Sequence, residues 1–130
     1  MDIARYIGIP FKDHGRDYDG VDCHGLAYLF HRDQLNQDIP SYVESYNDAN
    51  EEEGVSDCIE RHINDWERVD DPQPGDIIIF NLLGWPCHVG IYLGGNDFLH
   101  CLKGTNSTVE RLNSITWSRR AGGFIRWAPR

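Results

Sequence analysis

At Pro72-Gln73-Pro74-Gly75-Asp76 the apolar period of this chain changes, and that change limits the possible folds more than any other feature. Before the turn, apolar residues recur at helical spacing. Leu26, Leu29, Phe30 and Leu35 predict a helix beginning near Cys23. Val55, Ile59, Ile63 and Trp66, with Cys58 and His62 beside them, predict a second helix over residues 51–67. Glu51, Glu52 and Glu53 fall in its first turn, where the helix dipole favours negative charge. After the turn, Ile77 to Phe80 reads as a buried strand. His88 to Leu93 and Phe98 to Leu102 follow as strands joined across Gly94-Gly95-Asn96, with shorter strands expected at Thr108 to Leu112 and Gly123 to Trp127. Helices first and antiparallel strands second define an α+β fold, and 130 residues suffice for one core, so residues 1–130 are expected to form a single domain.

Charge removes one class of function. The net charge of −9 argues against a nucleic-acid partner, because phosphate neutralisation needs a basic face. Residues 1–102 hold six basic and twenty acidic side chains, whereas residues 103–130 hold six basic and one acidic. That basic end either attracts carboxylate-bearing ligands or keeps a strand edge solvated through Arg111, Arg119, Arg120, Arg126 and Arg130. The opening Met-Asp-Ile-Ala-Arg-Tyr lacks the basic and apolar regions of a signal peptide, and no run is long enough to cross a bilayer. The expectation is a chain made in a cytoplasm, not inserted in a membrane. Cysteines at 23, 58, 87 and 101 form no compact disulfide framework, so free thiols are expected.

Asp17 to Leu26, Asp-Tyr-Asp-Gly-Val-Asp-Cys-His-Gly-Leu, puts a cysteine where a polar loop enters a helix. A sulfur at a helix mouth lies near unpaired N–H groups that favour thiolate and could hold an oxyanion, and Gly25 would leave room for a substrate backbone. Such a nucleophile needs a base, and the base needs an orienting partner. His88 and His100 are the candidates. They share a face of the hairpin only if its register is odd, with Tyr92 opposite Phe98, as a three-residue Gly94-Gly95-Asn96 loop would give. The mirrored Cys87-His88 and His100-Cys101 pairs suggest zinc, but alternation sends the histidines to one face and the cysteines to the other, so no metal is expected. Asp17, Asp19 and Asp22 lack the glycine and glutamate placement of a calcium loop. Cys58 reads as structural, and His14, His31 and His62 as surface or half-buried residues without a role. Trp85 and Pro86 either line the cleft or plug the sheet.

Three blocks, Val-Asp-Cys-His-Gly-Leu, Pro-Gly-Asp-Ile-Ile-Ile-Phe, and His-Val-Gly-Ile-Tyr-Leu-Gly with Phe-Leu-His, occur in an order that resembles the NlpC-type cell-wall peptidases, a papain-like family. The resemblance implies N-terminal helices on a central antiparallel β-sheet, with Cys23 as nucleophile, His88 as general base and His100 as the residue orienting it. It implies hydrolysis of an amide in the peptide stem of bacterial peptidoglycan, commonly between γ-D-glutamyl and a diamino acid, with no cofactor. Asp22 matches a position that holds the substrate's free amine. His24 stands where serine is common and Phe11 where a substrate-contacting tyrosine is common; Tyr18 is a possible substitute for that hydroxyl. The opening Tyr-Ile-Gly-Ile-Pro-Phe and the later Ser-Thr-Val-Glu-Arg-Leu, with Trp117-Ser118-Arg119-Arg120, look similar to single-domain versions in phage tail tips. That similarity implies virion delivery to the cell wall and other tail-tip proteins as partners. The rival expectation is a tail-tip structural or assembly protein with little hydrolase activity; acyl transfer or thioester cleavage on lipids is a more distant one.

Overall fold

A computed structural model describes residues 2–129. Two short strands, β1 (Arg16–Asp17) and β2 (Gly20–Val21), form a small hairpin that leads into α1 (Cys23–Gln34). Helix α2 (Glu52–His62) follows, and the remainder is sheet: β3 (Trp66–Val69), β4 (Ile77–Leu82), β5 (Trp85–Gly94), β6 (Asp97–His100), β7 (Thr108–Arg111) and β8 (Ala121–Trp127). These six strands form one antiparallel sheet in the order β3-β8-β4-β5-β6-β7. The α+β expectation holds, with both helices packed on the sheet.

The two faces of the sheet bury different things. Ile77, Ile79, Val89, Ile91 and Leu99 pack against Leu26, Leu29 and Phe30 of α1, forming the main core. The alternate residues Ile78, Phe80 and Phe98 point the other way, into a second cluster closed by Trp117 from the segment after β7. Burying residues on both faces explains why Ile77 to Phe80 reads as a continuous apolar run.

Two boundaries differ from the sequence reading. The second helix stops at His62 and passes through a 3₁₀ turn, Ile63–Asp65, so Trp66 opens β3 instead of closing the helix. There its ring meets Trp127 edge-on at 5.1 Å, an inter-strand contact that helical periodicity does not reveal. The strand holding Arg126 is also not an edge. It lies between β3 and β4, and Arg126 Nε and Nη2 donate to the two carboxylate oxygens of Asp76, each at 2.8 Å. Arg111 does lie on the outermost strand, β7; Arg130 lies outside the described residues.

Gly25 shows how tightly the β1–β2 hairpin seats on α1. A Cβ there would stand 2.0 Å from the Gly15 carbonyl oxygen and 3.0 Å from Arg16 Nη1. The chain's own hairpin therefore fills the space expected for a substrate backbone. Gly25→Ala should lower the unfolding free energy by at least about 3 kcal/mol, because backbone must shift to admit the methyl group. Urea denaturation of the two proteins measures the difference.

Candidate functional site

Asp22 caps α1: its Oδ1 accepts from Gly25 N at 2.8 Å, which fixes Cys23 as the first helical residue. Cys23 is half-buried, with its sulfur accepting from the backbone N–H of Val89 on β5. That N–H is available because the β5–β6 ladder runs only from Gly94–Asp97 to Ile91–Leu99. Beyond Ile91, β5 continues to Trp85 with β4 alone beside it, and the mouth of α1 meets the vacant side.

Val89 follows His88 directly, and the His88 ring projects to the face opposite the helices. Its Nε2 lies 2.9 Å from Nδ1 of His100. The odd register predicted for the hairpin is present, with Tyr92 opposite Phe98, but its origin differs. Gly94 pairs with Asp97 across the two residues Gly95 and Asn96, and a bulge at Leu93 restores the parity that the short loop would have broken. His100 Nε2 lies 2.5 Å from Oε2 of Glu110 on β7. Sequence reasoning passed over Glu110, although it is the single acidic residue after position 102. It also gave no role to Trp117, whose buried indole stands edge-on to His100 at 4.8 Å and 5.9 Å from His88. Cys101, by contrast, sits in the helix-side core, so the mirrored pairs do split between the faces.

Burial dominates the electrostatics. It pushes the Cys23 thiol well above its ordinary range, reinforced by the charge of Asp22 and opposed by the Val89 N–H and Arg16. It also pushes His88 down to about 3, with His100 adding to the effect. His100 is lowered by burial too, against the raising influence of Glu110. The resting pair is a neutral thiol and a neutral imidazole, whereas the helix mouth by itself had predicted thiolate.

The other expected residues distribute unevenly. Asp22 is buried with four donors already in place: Gly25 N and Arg16 Nη1 on Oδ1, His14 N and the Tyr46 hydroxyl on Oδ2. Its carboxylate thus serves the chain's own cap, ion pair and loop contacts at the position where the resemblance implies an amine site. His24 does face the cavity beside Cys23, a space of about 60 Å³ whose walls include Tyr42, Tyr46, Val89 and Cys58. Its Nε2–H donates to the Pro40 carbonyl at 2.8 Å. Tyr18 is placed elsewhere: its hydroxyl donates to Asp33, near the opposite end of α1 and about 15 Å along the helix axis from Cys23. Phe11 bridges Val21 and packs against the core. Trp85 is exposed at the β4–β5 turn, beside Glu51, Glu52 and Glu53, not against the imidazoles.

Residues 40–46 are held over the site by side chains that sequence reasoning left without a role. Arg16 donates from Nε and Nη2 to the Ser41 carbonyl at 3.0 and 2.6 Å. His14 stacks on Tyr46 and donates to its carbonyl, while His62 stacks on Tyr42 and bonds the Ser45 hydroxyl. His31 is fully in the core, with its ring bonded to the Ala27 carbonyl.

Residues 8–126 match the NlpC/P60 family. Among curated proteins, the chain is 23% identical over 117 residues to Murein DD-endopeptidase MepS/Murein LD-carboxypeptidase of Escherichia coli K12, covering 90% of this chain and 55% of that protein. It is 30% identical to a probable endopeptidase of Haemophilus influenzae, covering 88% and 63%. The chain thus spans little more than half the length of the first of these relatives. Among solved structures, the NlpC/p60 domain of the peptidoglycan hydrolase SagA superposes with a TM-score of 0.60 at 22% identity, covering 94% of this chain and 89% of that one. An NLP/P60-family protein of Staphylococcus aureus gives 0.66 at 23% identity, covering 96% and 38%.

The depressed basicity of His88 has a consequence for stability. Between its folded value of about 3 and its unfolded value near 6.5, the unfolded chain binds a proton that the folded chain excludes. Stability is therefore full above about pH 6.5 and falls as the pH drops, by up to about 1.4 kcal/mol per pH unit for this one group. His88→Gln should flatten the loss of stability between pH 6.5 and pH 4 by that amount, as read from urea denaturation at several pH values.

Proposed function

The chain belongs to the NlpC/P60 family, and from this membership we propose that it is a cysteine peptidase hydrolysing an amide bond in the peptide stem of bacterial peptidoglycan. One observation carries the reading: Cys23 Sγ rests on the N–H of Val89, the residue after His88, whose ring is bonded to His100. On this reading Cys23 is the nucleophile, His88 the base and His100 the orienting group.

In the proposed reaction His88 takes the thiol proton as the sulfur attacks the carbonyl carbon. Because both groups rest neutral, transfer and attack are coupled instead of starting from a standing ion pair. The developing oxyanion is held by the first-turn N–H groups of Cys23 and His24, which precede the first intrahelical bond of α1. His88 then gives its proton to the leaving amine. A water deprotonated by His88 attacks the thioester, releases the carboxylate product and restores the thiol. His100 keeps the His88 ring in orientation throughout.

The Escherichia coli relative named above as a murein endopeptidase supports the substrate class, and with it a place of action at the cell wall. The particular bond, γ-D-glutamyl to diamino acid, and a phage-tail setting rest on the sequence resemblance. Saturation of Asp22 by its own chain argues for a substrate site that does not depend on a free amine at that position.

Incubation with purified peptidoglycan tests the proposal. The wild-type protein should release soluble stem fragments, and Cys23→Ala should reduce the release rate by at least about a thousandfold. Equal release by the two proteins would remove Cys23 from the chemistry.

A further inference from the structure

We propose that Glu110 fixes the tautomers of both imidazoles and thereby makes Nδ1 of His88 the base nitrogen. The rate consequence rests on the hydrolase reading above; the tautomer assignment does not. An ionised carboxylate only accepts hydrogen bonds, so the 2.5 Å contact between Glu110 Oε2 and His100 Nε2 places the His100 proton on Nε2. Neutral His100 then carries a lone pair on Nδ1. The 2.9 Å contact with His88 must accordingly be donated by His88 Nε2–H. Neutral His88 is left with its lone pair on Nδ1, the ring nitrogen nearer its own backbone, and the next backbone N–H along the chain is the one bonded to Cys23 Sγ.

Without the carboxylate, the pair of histidines is degenerate. The reverse order, His100 Nδ1–H donating to His88 Nε2, satisfies the same contact at the same distance. It leaves His88 protonated at Nδ1 and unable to take a thiol proton there. Glu110 lifts this degeneracy from the far end of the relay, two hydrogen bonds away from His88. Sheet register delivers it: Glu110 pairs with Phe98, so it shares the face of Phe98 and His100 and stands diagonal to the ring.

The surroundings keep the choice in the hands of Glu110. Both rings are buried, His88 at 3% and His100 at 2% exposure, and apolar rings enclose them: Phe80 at 5.8 Å from His88, Phe98 at 4.7 Å from His100, and Trp117 against both. These apolar rings offer no competing donor or acceptor to the contact between His88 Nε2 and His100 Nδ1. Glu110 itself is partly exposed on the outermost strand. It is a positioning residue, acting on Cys23 only through His100 and His88.

The test pairs long-range ¹⁵N–¹H correlation spectra of histidine-labelled protein with hydrolysis kinetics. In the wild type at pH 7, His88 and His100 should both show the Nε2–H tautomer. Glu110→Leu, which offers no acceptor, should give mixed tautomers at both rings and a fall in kcat of at least about tenfold with KM little changed. Glu110→Gln keeps an accepting oxygen and should retain the wild-type tautomers, with kcat between the two. A wild-type His100 protonated at Nδ1, or unchanged tautomers in Glu110→Leu, would overturn the assignment. A wild-type protein with the expected tautomers that releases no stem fragments would instead overturn the hydrolase reading and leave the assignment standing.

Discussion

One backbone N–H, that of Val89, links two sides of a sheet that otherwise have nothing to do with each other. The helices and Cys23 belong to one face, and the imidazole pair belongs to the other. A sheet of paired strands would keep them apart, since its ladder hydrogen bonds occupy the plane between. Here β6 stops pairing at Leu99 while β5 runs on, and the unpaired stretch admits the mouth of α1. The sulfur is therefore placed at the strand's edge, level with the peptide that joins His88 to Val89. A longer β6 ladder would claim that N–H and exclude the cysteine.

The environment that makes this contact possible also sets its charge. A thiol and an imidazole taken out of water both lose basicity or acidity in the direction of neutrality, and the chain does so on each side. The ion pair beside Cys23, Arg16 with Asp22, is closed on itself: each partner is also bonded to backbone groups and to Tyr46. Asp22 consequently works for the fold. It caps α1, fastens the loop at His14 and tethers Tyr46, and through Arg16 it holds residues 40–46 across the entrance. Tyr42 and Tyr46 from this segment, with His24 of α1, line the cavity beside Cys23.

Local chemistry made much of this readable in advance. The Pro-Gly turn, the start of α1 at Cys23 and the two-faced strands follow from period and capping, which act over a few residues, whereas the shared face of His88 and His100 comes from the bulge at Leu93 and not from the three-residue loop expected. Trp66 misled because a single apolar residue at helical spacing carries no sign that the next contact is Trp127 in β8. Tyr18 misled because a hydroxyl close to Cys23 in sequence turns toward Asp33 on the other end of the helix.

The sequence by itself determined the α+β order and the helix that carries Cys23, because each depends on neighbours within one element or on the order of elements along the chain. Only the tertiary structure decided that Asp22 is saturated, that residues 40–46 roof the site, and that Glu110 and Trp117 complete the surroundings of the histidines. Those outcomes join residues up to dozens of positions apart through strand order and burial, and the free energy of such a contact exists only once the sheet has been assembled.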